Sequence, residues 1–421
     1  PVALTEENGV MIFSGTAVFD QANTSALGTP DQPPLIAAYT GHEEKARRQH
    51  QNIASSIDLG RTWTKFAGNP VLDLQVAEFR DPKVFWHEPT RRWIMVVALA
   101  ADRKALFYSS PDLKAWTKLS EFGPQGRTGV PNWECPDLFE LAVENDPAET
   151  RWVLVINVGG NGPQGGSGCQ YFIGRFDGAT FTNDNPAQQV LWLDQGPDFY
   201  AFQSYQDAPD HRRIGLAWMT STHYAGGQPT SPWRGSMTIP RELTLRRTPH
   251  GLRLAQTPIA GLANFLKSRG ATPTMLNDQP LPPGVTPLQA AASVAIITAE
   301  FEPGDAERFG LRVRQGDTEF TDIGYDVKQH ELYIDRRRAG ASGFNPGFAA
   351  RHAAATPLDA DGHVRLTIVV DQQSVEAFGN NGLTAITSLV FPGGDSSRMS
   401  LFAEAGTAKL VKLDILPMPR K

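Results

Sequence analysis

Hydrophobic positions along the first 256 residues fall in short runs rather than in a helical stripe. Gly9-Val10-Met11-Ile12-Phe13, Trp93-Ile94-Met95-Val96-Val97-Ala98, Trp152-Val153-Leu154-Val155-Ile156 and Ile214-Gly215-Leu216-Ala217-Trp218 are each apolar, four to six residues long and bordered by Gly, Pro, Asn or Asp. Runs of that length between turn residues predict strands. The first stretch that reads as a short helix is Ile259-Ala260-Gly261-Leu262-Ala263-Asn264-Phe265-Leu266. Gly270 to Thr286 is rich in Pro and Gly and reads as a linker. Beyond it, Val364–Val370 and Gln373–Phe378 alternate apolar and polar with period two, and Phe309–Val313, Glu331–Ile334 and Met399–Ala403 add further strands. The pattern predicts an all-β chain with domains at 1–258 and 289–421 joined by 259–288, the second being a β-sandwich.

One stretch echoes another. Ser56-Ile57-Asp58-Leu59-Gly60-Arg61-Thr62-Trp63 parallels Ser110-Pro111-Asp112-Leu113-Lys114-Ala115-Trp116, with the tryptophans 53 residues apart. The first copy has the form of an Asp-box turn. A period of about 40–50 residues with several strands per unit suggests propeller blades; two unrelated hairpins sharing one turn chemistry would look the same.

Composition removes some classes of function. The 421 residues carry a formal net charge of -6 and no basic block, which argues against a nucleic-acid partner. No apolar run approaches the ~18 residues of a membrane span. Cys135 and Cys169 are the only cysteines, and the nine histidines form no metal-binding spacing, so neither a metal nor another cofactor is expected. Gly159–Gly168 is glycine-rich, but no Gly-Lys-Ser/Thr follows; it reads as a mobile connection between strands.

Two acidic stretches remain. In Asn132-Trp133-Glu134-Cys135-Pro136-Asp137, a glutamate lies between a tryptophan and a Cys-Pro step. An aromatic wall would disfavour the charged carboxylate, as a general acid requires. In Glu78-Phe79-Arg80-Asp81-Pro82-Lys83, the aspartate has cationic neighbours that would keep it ionised. The 53-residue separation of Asp81 and Glu134 would put the two acids at equivalent points of adjacent blades; two structural salt bridges are the alternative. Phe13, Trp133, Trp233, Tyr200 and Gln203 are of the types that bind sugars.

Taken in order, Ile12-Phe13-Ser14-Gly15, Phe79-Arg80-Asp81-Pro82-Lys83, Trp133-Glu134-Cys135-Pro136-Asp137-Leu138-Phe139, Gly165–Gly174, Pro232-Trp233-Arg234-Gly235 through Leu243, and Ser374-Val375-Glu376-Ala377-Phe378-Gly379-Asn380 resemble glycoside hydrolase family 32, the invertases, exo-inulinases and levanases. The resemblance implies a five-bladed β-propeller followed by a C-terminal β-sandwich. It also implies retaining hydrolysis of β-fructofuranosides such as sucrose, inulin or levan. Glu134 would be the general acid/base and Asp81 the transition-state stabiliser, with Arg80 beside it. Phe13, Ser14, Trp133, Trp233 and Gln203 would bind substrate. The family's nucleophilic aspartate, in an Asn-Asp-Pro-Asn/Asp-Gly motif, has no counterpart in this sequence. The expectation is therefore the large part of a nicked or split enzyme, partnered by an N-terminal fragment and acting outside the cytoplasm, extracellular or periplasmic. A fructosyltransferase and an inactive carbohydrate-binding propeller are the alternatives.

Overall fold

The computed structural model describes residues 2–419, nearly all of them in strands and turns. The chain divides into two compact units. One comprises residues 1–161, 169–191 and 201–208; the other comprises 162–168, 192–200 and 209–421.

The first unit is built from antiparallel sheets in which consecutive strands pair. The first sheet holds β1 (Val10–Phe19), β2 (Leu35–Glu43), β3 (Arg48–Ser56), β4 (Thr64–Lys65) and β5 (Leu72–Val76). The second holds β6 (Phe79–His87), β7 (Arg92–Leu99), β8 (Lys104–Ser110) and β9 (Thr117–Phe122). Next come β10 (Trp133–Val143), β11 (Asp146–Val158), β12 (Gly168–Phe176) and β13 (Phe181–Asn183), paired in that order within a larger sheet. Strand β14 (Tyr200–Ser204) follows. The inner strands are buried on both faces, which is why β7 reads as a continuous apolar run rather than an alternation. Val18, Ile36 and Ile53 of the first sheet and Phe79, Val84, Met95 and Val97 of the second share one core.

The echoed turns occupy the same place in two successive sheets, between third and fourth strand. In the first, Ser56 Oγ donates to Asp58 at 2.8 Å and the Trp63 indole to Gly60 O at 3.0 Å. In the second, Ser110 Oγ donates to Asp112 at 3.1 Å and the Trp116 indole to Leu113 O at 3.0 Å. Leu113 is left-handed, with φ 64°, as is Leu59 at the same place in the first copy, with φ 60°. The shared chemistry is thus a repeated structural unit.

The second unit contains the antiparallel strands β15 (Arg213–Met219), β16 (Ser236–Met237), β17 (Arg241–Thr248) and β18 (Gly251–Pro258), with β15 between β16 and β17 and β18 paired to β17. Helix α1 (Ala260–Ser268) falls where the sequence predicts one. The linker expected at 259–288 is otherwise not one: β19 (Thr274–Leu281) and β20 (Gly284–Ala291) are strands.

Two six-stranded sheets make the sandwich. One runs β19, β30 (Ala408–Pro417), β21 (Ala295–Glu302), β26 (Val364–Val370), β27 (Ser374–Gly379), β28 (Thr384–Leu389). The other runs β20, β29 (Arg398–Glu404), β22 (Arg308–Gln315), β23 (Thr321–Asp326), β24 (Glu331–Asp335), β25 (Arg351–Ala355). The inward faces meet in a core that includes Phe301, Phe309, Leu311, Val370 and Leu401. Phe301 is fully buried with its ring 5.1 Å from that of Phe309. Phe301→Ala is expected to cost about 3–5 kcal/mol, measured as the loss in denaturant unfolding free energy of the sandwich.

Candidate active site

Strands β6 and β10 each begin a run of consecutively paired strands, and both are broken at the same relative place. The ladder of β6 with β7 shifts register between Arg80 and Lys83, and that of β10 with β11 between Glu134 and Asp137. Each break has a left-handed residue followed by proline: Asp81, φ 66°, then Pro82, and Cys135, φ 45°, then Pro136. Proline brings no N–H that a ladder would have to satisfy, so it suits a bulge, and a bulge re-aims the side chains beside it.

Superposing the prolines corrects the sequence reading by one residue. Asp81 corresponds to Cys135, not to Glu134, and Arg80 corresponds to Glu134. The partners confirm the offset. Arg80 donates to Glu134 Oε1 from Nη2 at 2.7 Å and from Nε at 3.2 Å. The Cys135 N–H donates to Asp81 Oδ2 at 2.9 Å, with Cys135 Sγ 3.6 Å from the same oxygen. Lys83 Nζ lies 3.2 Å from Asp137 Oδ1. All three pairs are 54 residues apart.

The structure thus brings Arg80, Asp81 and Glu134 together in a half-closed setting. The side chains of Arg80 and Asp81 are 10% and 8% exposed and that of Glu134 is 19% exposed. Burial pushes Glu134 above the ordinary carboxyl range, with Arg80 opposing and Asp81 adding to the rise. Burial also pushes Asp81 up, against the hydrogen bond from the Cys135 N–H and the charge of Arg80. The expected opposition of the two acids is therefore not found. Lys83 is turned to Asp137, while Arg80 is 3.9 Å from Asp81 and forks onto Glu134. Arg80 also pairs with Glu78 and donates to Gln49 Oε1 at 3.3 Å. What distinguishes the acids is their partners: a main-chain amide for Asp81, a guanidinium for Glu134. The Cys135 thiol is pushed well up by burial and by the two carboxyls.

The expected sugar-binding residues divide. The indole of Trp133 is fully buried against Phe122 and Phe172, on the opposite side of β10 from Glu134, so it offers a ligand no face and is not the wall that raises Glu134. Gln203 turns to the main chain, its Nε2 donating to Cys135 O at 3.0 Å and Pro136 O at 3.1 Å. Phe13 and Ser14 sit at a bulge of β1 between Ile12 and Gly15. The Phe13 ring is half-exposed and stacks on His42 at 4.5 Å, and Ser14 is exposed. Strand β1 packs beside β6. Trp233 belongs to the second unit, where it is 64% exposed. Tyr200 is buried.

Several residues that sequence reasoning missed complete the arrangement. Thr40 Oγ1 accepts the Asp81 N–H at 2.9 Å, and Asn157 Nδ2 donates to Cys135 O at 3.0 Å. Ser204 gives its N–H and hydroxyl to Asp137 Oδ2 at 2.7 and 2.6 Å. Aligning Arg80-Asp81-Pro82-Lys83 over Glu134-Cys135-Pro136-Asp137 is the signal that would have found the Lys83–Asp137 pair. Among the described residues, the cluster Glu300, Asp361 and His363 has the spacing of metal ligands, but Arg365 already supplies its cation, at 2.7 Å from Glu300 and 2.5 Å from Asp361. The glycine-rich segment expected to be mobile forms hydrogen-bonded turns, with Gly162 N–H to Gly166 O at 2.8 Å and Gly165 N–H to Gly162 O at 3.0 Å.

Residues 1–258 match the profile of the glycosyl hydrolases family 32 N-terminal domain, and residues 264–417 match that of the family 32 C-terminal domain. A levanase of Bacillus subtilis (strain 168) is 44% identical over 426 residues, covering 100% of this chain and 62% of the levanase. This chain therefore spans about three fifths of that relative's length. An extracellular exo-inulinase of Aspergillus ficuum is 35% identical, covering 96% of this chain and 80% of the inulinase. The crystal structure of an exo-inulinase from Aspergillus awamori superposes with a TM-score of 0.92 at 33% identity, covering 100% of this chain and 87% of that one. The fold is accordingly all-β, a β-propeller followed by a C-terminal β-sandwich.

Proposed function

The chain belongs to glycosyl hydrolase family 32 along both of its domains, and from that membership we propose that it releases fructose from β-fructofuranosides with retention of configuration. The observation that carries the reading is the meeting of a buried and a half-buried carboxyl, Asp81 and Glu134, on register-matched bulges of neighbouring sheets. Glu134 protonates the departing glycosidic oxygen as the bond to the fructosyl carbon breaks, and afterwards takes a proton from the water that releases fructose. Its raised proton affinity suits the first step, and the Arg80 fork suits the second, when it must be an anion. Asp81, fixed by the Cys135 N–H, accepts hydrogen bonds from the fructosyl hydroxyls and stabilises positive charge on the ring. Phe13 and Ser14, on the strand packed beside β6, line the sugar's surroundings.

Retention needs a second carboxylate as nucleophile. The 421 residues contain no Asn-Asp-Pro-Asn/Asp-Gly motif, so in this proposal a fragment outside them brings the attacking aspartate. The named activities of the levanase and exo-inulinase relatives favour fructans as substrates, and the extracellular naming of the inulinase favours action outside the cytoplasm.

The test is fructose release from levan, inulin and sucrose, by the 421-residue chain alone and with a peptide carrying the Asn-Asp-Pro motif. Fructose should appear as the single early product in its β-anomer by proton NMR, and the peptide should raise the rate. No release in either arm by folded protein overturns the hydrolase reading; full activity of the chain alone overturns the need for a fragment.

A further inference from the structure

The site holds a second pair, deeper than the acids, that the proposed reaction does not use. Lys83 and Asp137 follow the two prolines, their side chains 3% and 0% exposed, Nζ 3.2 Å from Oδ1. Both are also tied to β14. Lys83 Nζ donates to Ser204 O at 2.6 Å and to Gln203 Oε1 at 3.3 Å, and Asp137 Oδ2 accepts the Ser204 N–H and hydroxyl. Gln203, held by Lys83, in turn grips the carbonyls of Cys135 and Pro136. These contacts close a triangle over β6, β10 and β14.

A left-handed residue ahead of proline is a costly backbone state, and such states persist where their surroundings over-determine them. Here two of them, Asp81 and Cys135, bond to each other. Their offset fixes how the Arg80 fork meets Glu134, one residue further back. The Lys83–Asp137 pair lies on the other side of both bulges, at the same 54-residue offset.

We infer that Lys83 and Asp137 are positioning residues: a buried ion pair that locks β6, β10 and β14 in register and thereby sets the aim of Glu134 and Asp81. The inference rests on the hydrolase reading for its catalytic meaning but not for its geometry. The charged and titratable groups around Glu134 are Arg80, Asp81 and Glu78 on and beside β6 and the Cys135 thiol, with His42 reaching Arg80 through Gln49.

The experiment compares Lys83→Met, Asp137→Asn and the double variant, with two readouts. The first is the titration of the Glu134 carboxyl by 13C NMR, assigned with Glu134→Gln. The second is kcat and KM per folded molecule for fructose release. Removing the cation should raise the Glu134 midpoint and removing the anion should lower it, each by about half a unit or more. The double variant, neutral again, should titrate close to the parent. In all three kcat should fall about tenfold or more with KM little changed, because the aim is lost while the sugar contacts remain. Unshifted Glu134 midpoints, or a folded double variant with the parent's kcat, would reduce the pair to a purely structural role. Should the single variants not fold, the kcat of the folded double variant decides, a fall supporting the positioning role and the parent's value overturning it. A parent that releases no fructose with or without the Asn-Asp-Pro peptide, while Glu134 still shifts in opposite directions, sinks the hydrolase reading and leaves the positioning intact.

Discussion

Glu134→Gln loses about 10²–10⁴-fold in kcat on fructans while KM changes little. Glutamine keeps the length of the side chain and an oxygen that can still accept from Arg80 Nε and Nη2, now at 3.2 and 2.7 Å, so the bulge and the binding surface should survive. What disappears is the transferable proton. Because the loss is confined to proton transfer, to the leaving oxygen and then from water, a fructoside with an activated aryl leaving group should recover much of the first step, and added azide should accelerate the second. Steady-state rates with the two substrate types check both points. Near-parental turnover on levan or inulin would remove Glu134 from proton transfer.

Arg241→Met costs about 3–5 kcal/mol of stability, the range for removing one partner of a buried ion pair. The guanidinium is fully buried in the second unit. Nη1 reaches Asp194 at 2.9 Å and Gln256 at 2.7 Å, and Nη2 reaches Glu376 and Thr387, each at 2.5 Å. Phe199 and Phe378 each place a ring centroid 4.8 Å from it. Removing the arginine strands Asp194 and Glu376 as buried anions. Burial already raises Glu376 above its ordinary range against the pull of Arg241, so the variant raises it further. A group raised in the folded state favours folding while protonated and loses that contribution as pH rises through its folded value. The deficit relative to the parent should therefore be largest near neutral pH and shrink towards acid. Adding Glu376→Gln to Arg241→Met should recover part of the loss. Chemical denaturation across pH measures all of this, and a pH-independent deficit would refute the stranded-charge explanation.

The strands rich in buried apolar residues were legible because both-face burial writes itself as an unbroken run, as at Trp93–Ala98. So were the sandwich strands with one face inward, such as Val364–Val370. The pair of edge strands β19 and β20, one in each sandwich sheet, was not legible. Its strands are largely exposed and lie at sheet edges, where Pro280 and Pro287 are tolerated, so neither alternation nor apolar content marks them. The acids of the site were found by their Pro-flanked motifs, but their environments were misjudged from chain neighbours. Strand geometry sends Trp133 to the opposite face from Glu134, and the bulge turns Lys83 from Asp81 to Asp137. Adjacency in sequence is a poor guide to adjacency in charge wherever a strand breaks step.

Strand β30 pairs with both β19 and β21, so one of the two sandwich sheets has nearly its most C-terminal described segment at an interior position. During synthesis that sheet cannot close until residue 417 has cleared the ribosome, whereas the first unit has all its strands some two hundred residues earlier. A nascent chain stalled near residue 400 should therefore display a protease-resistant amino-terminal body joined to a sandwich that is still open to digestion.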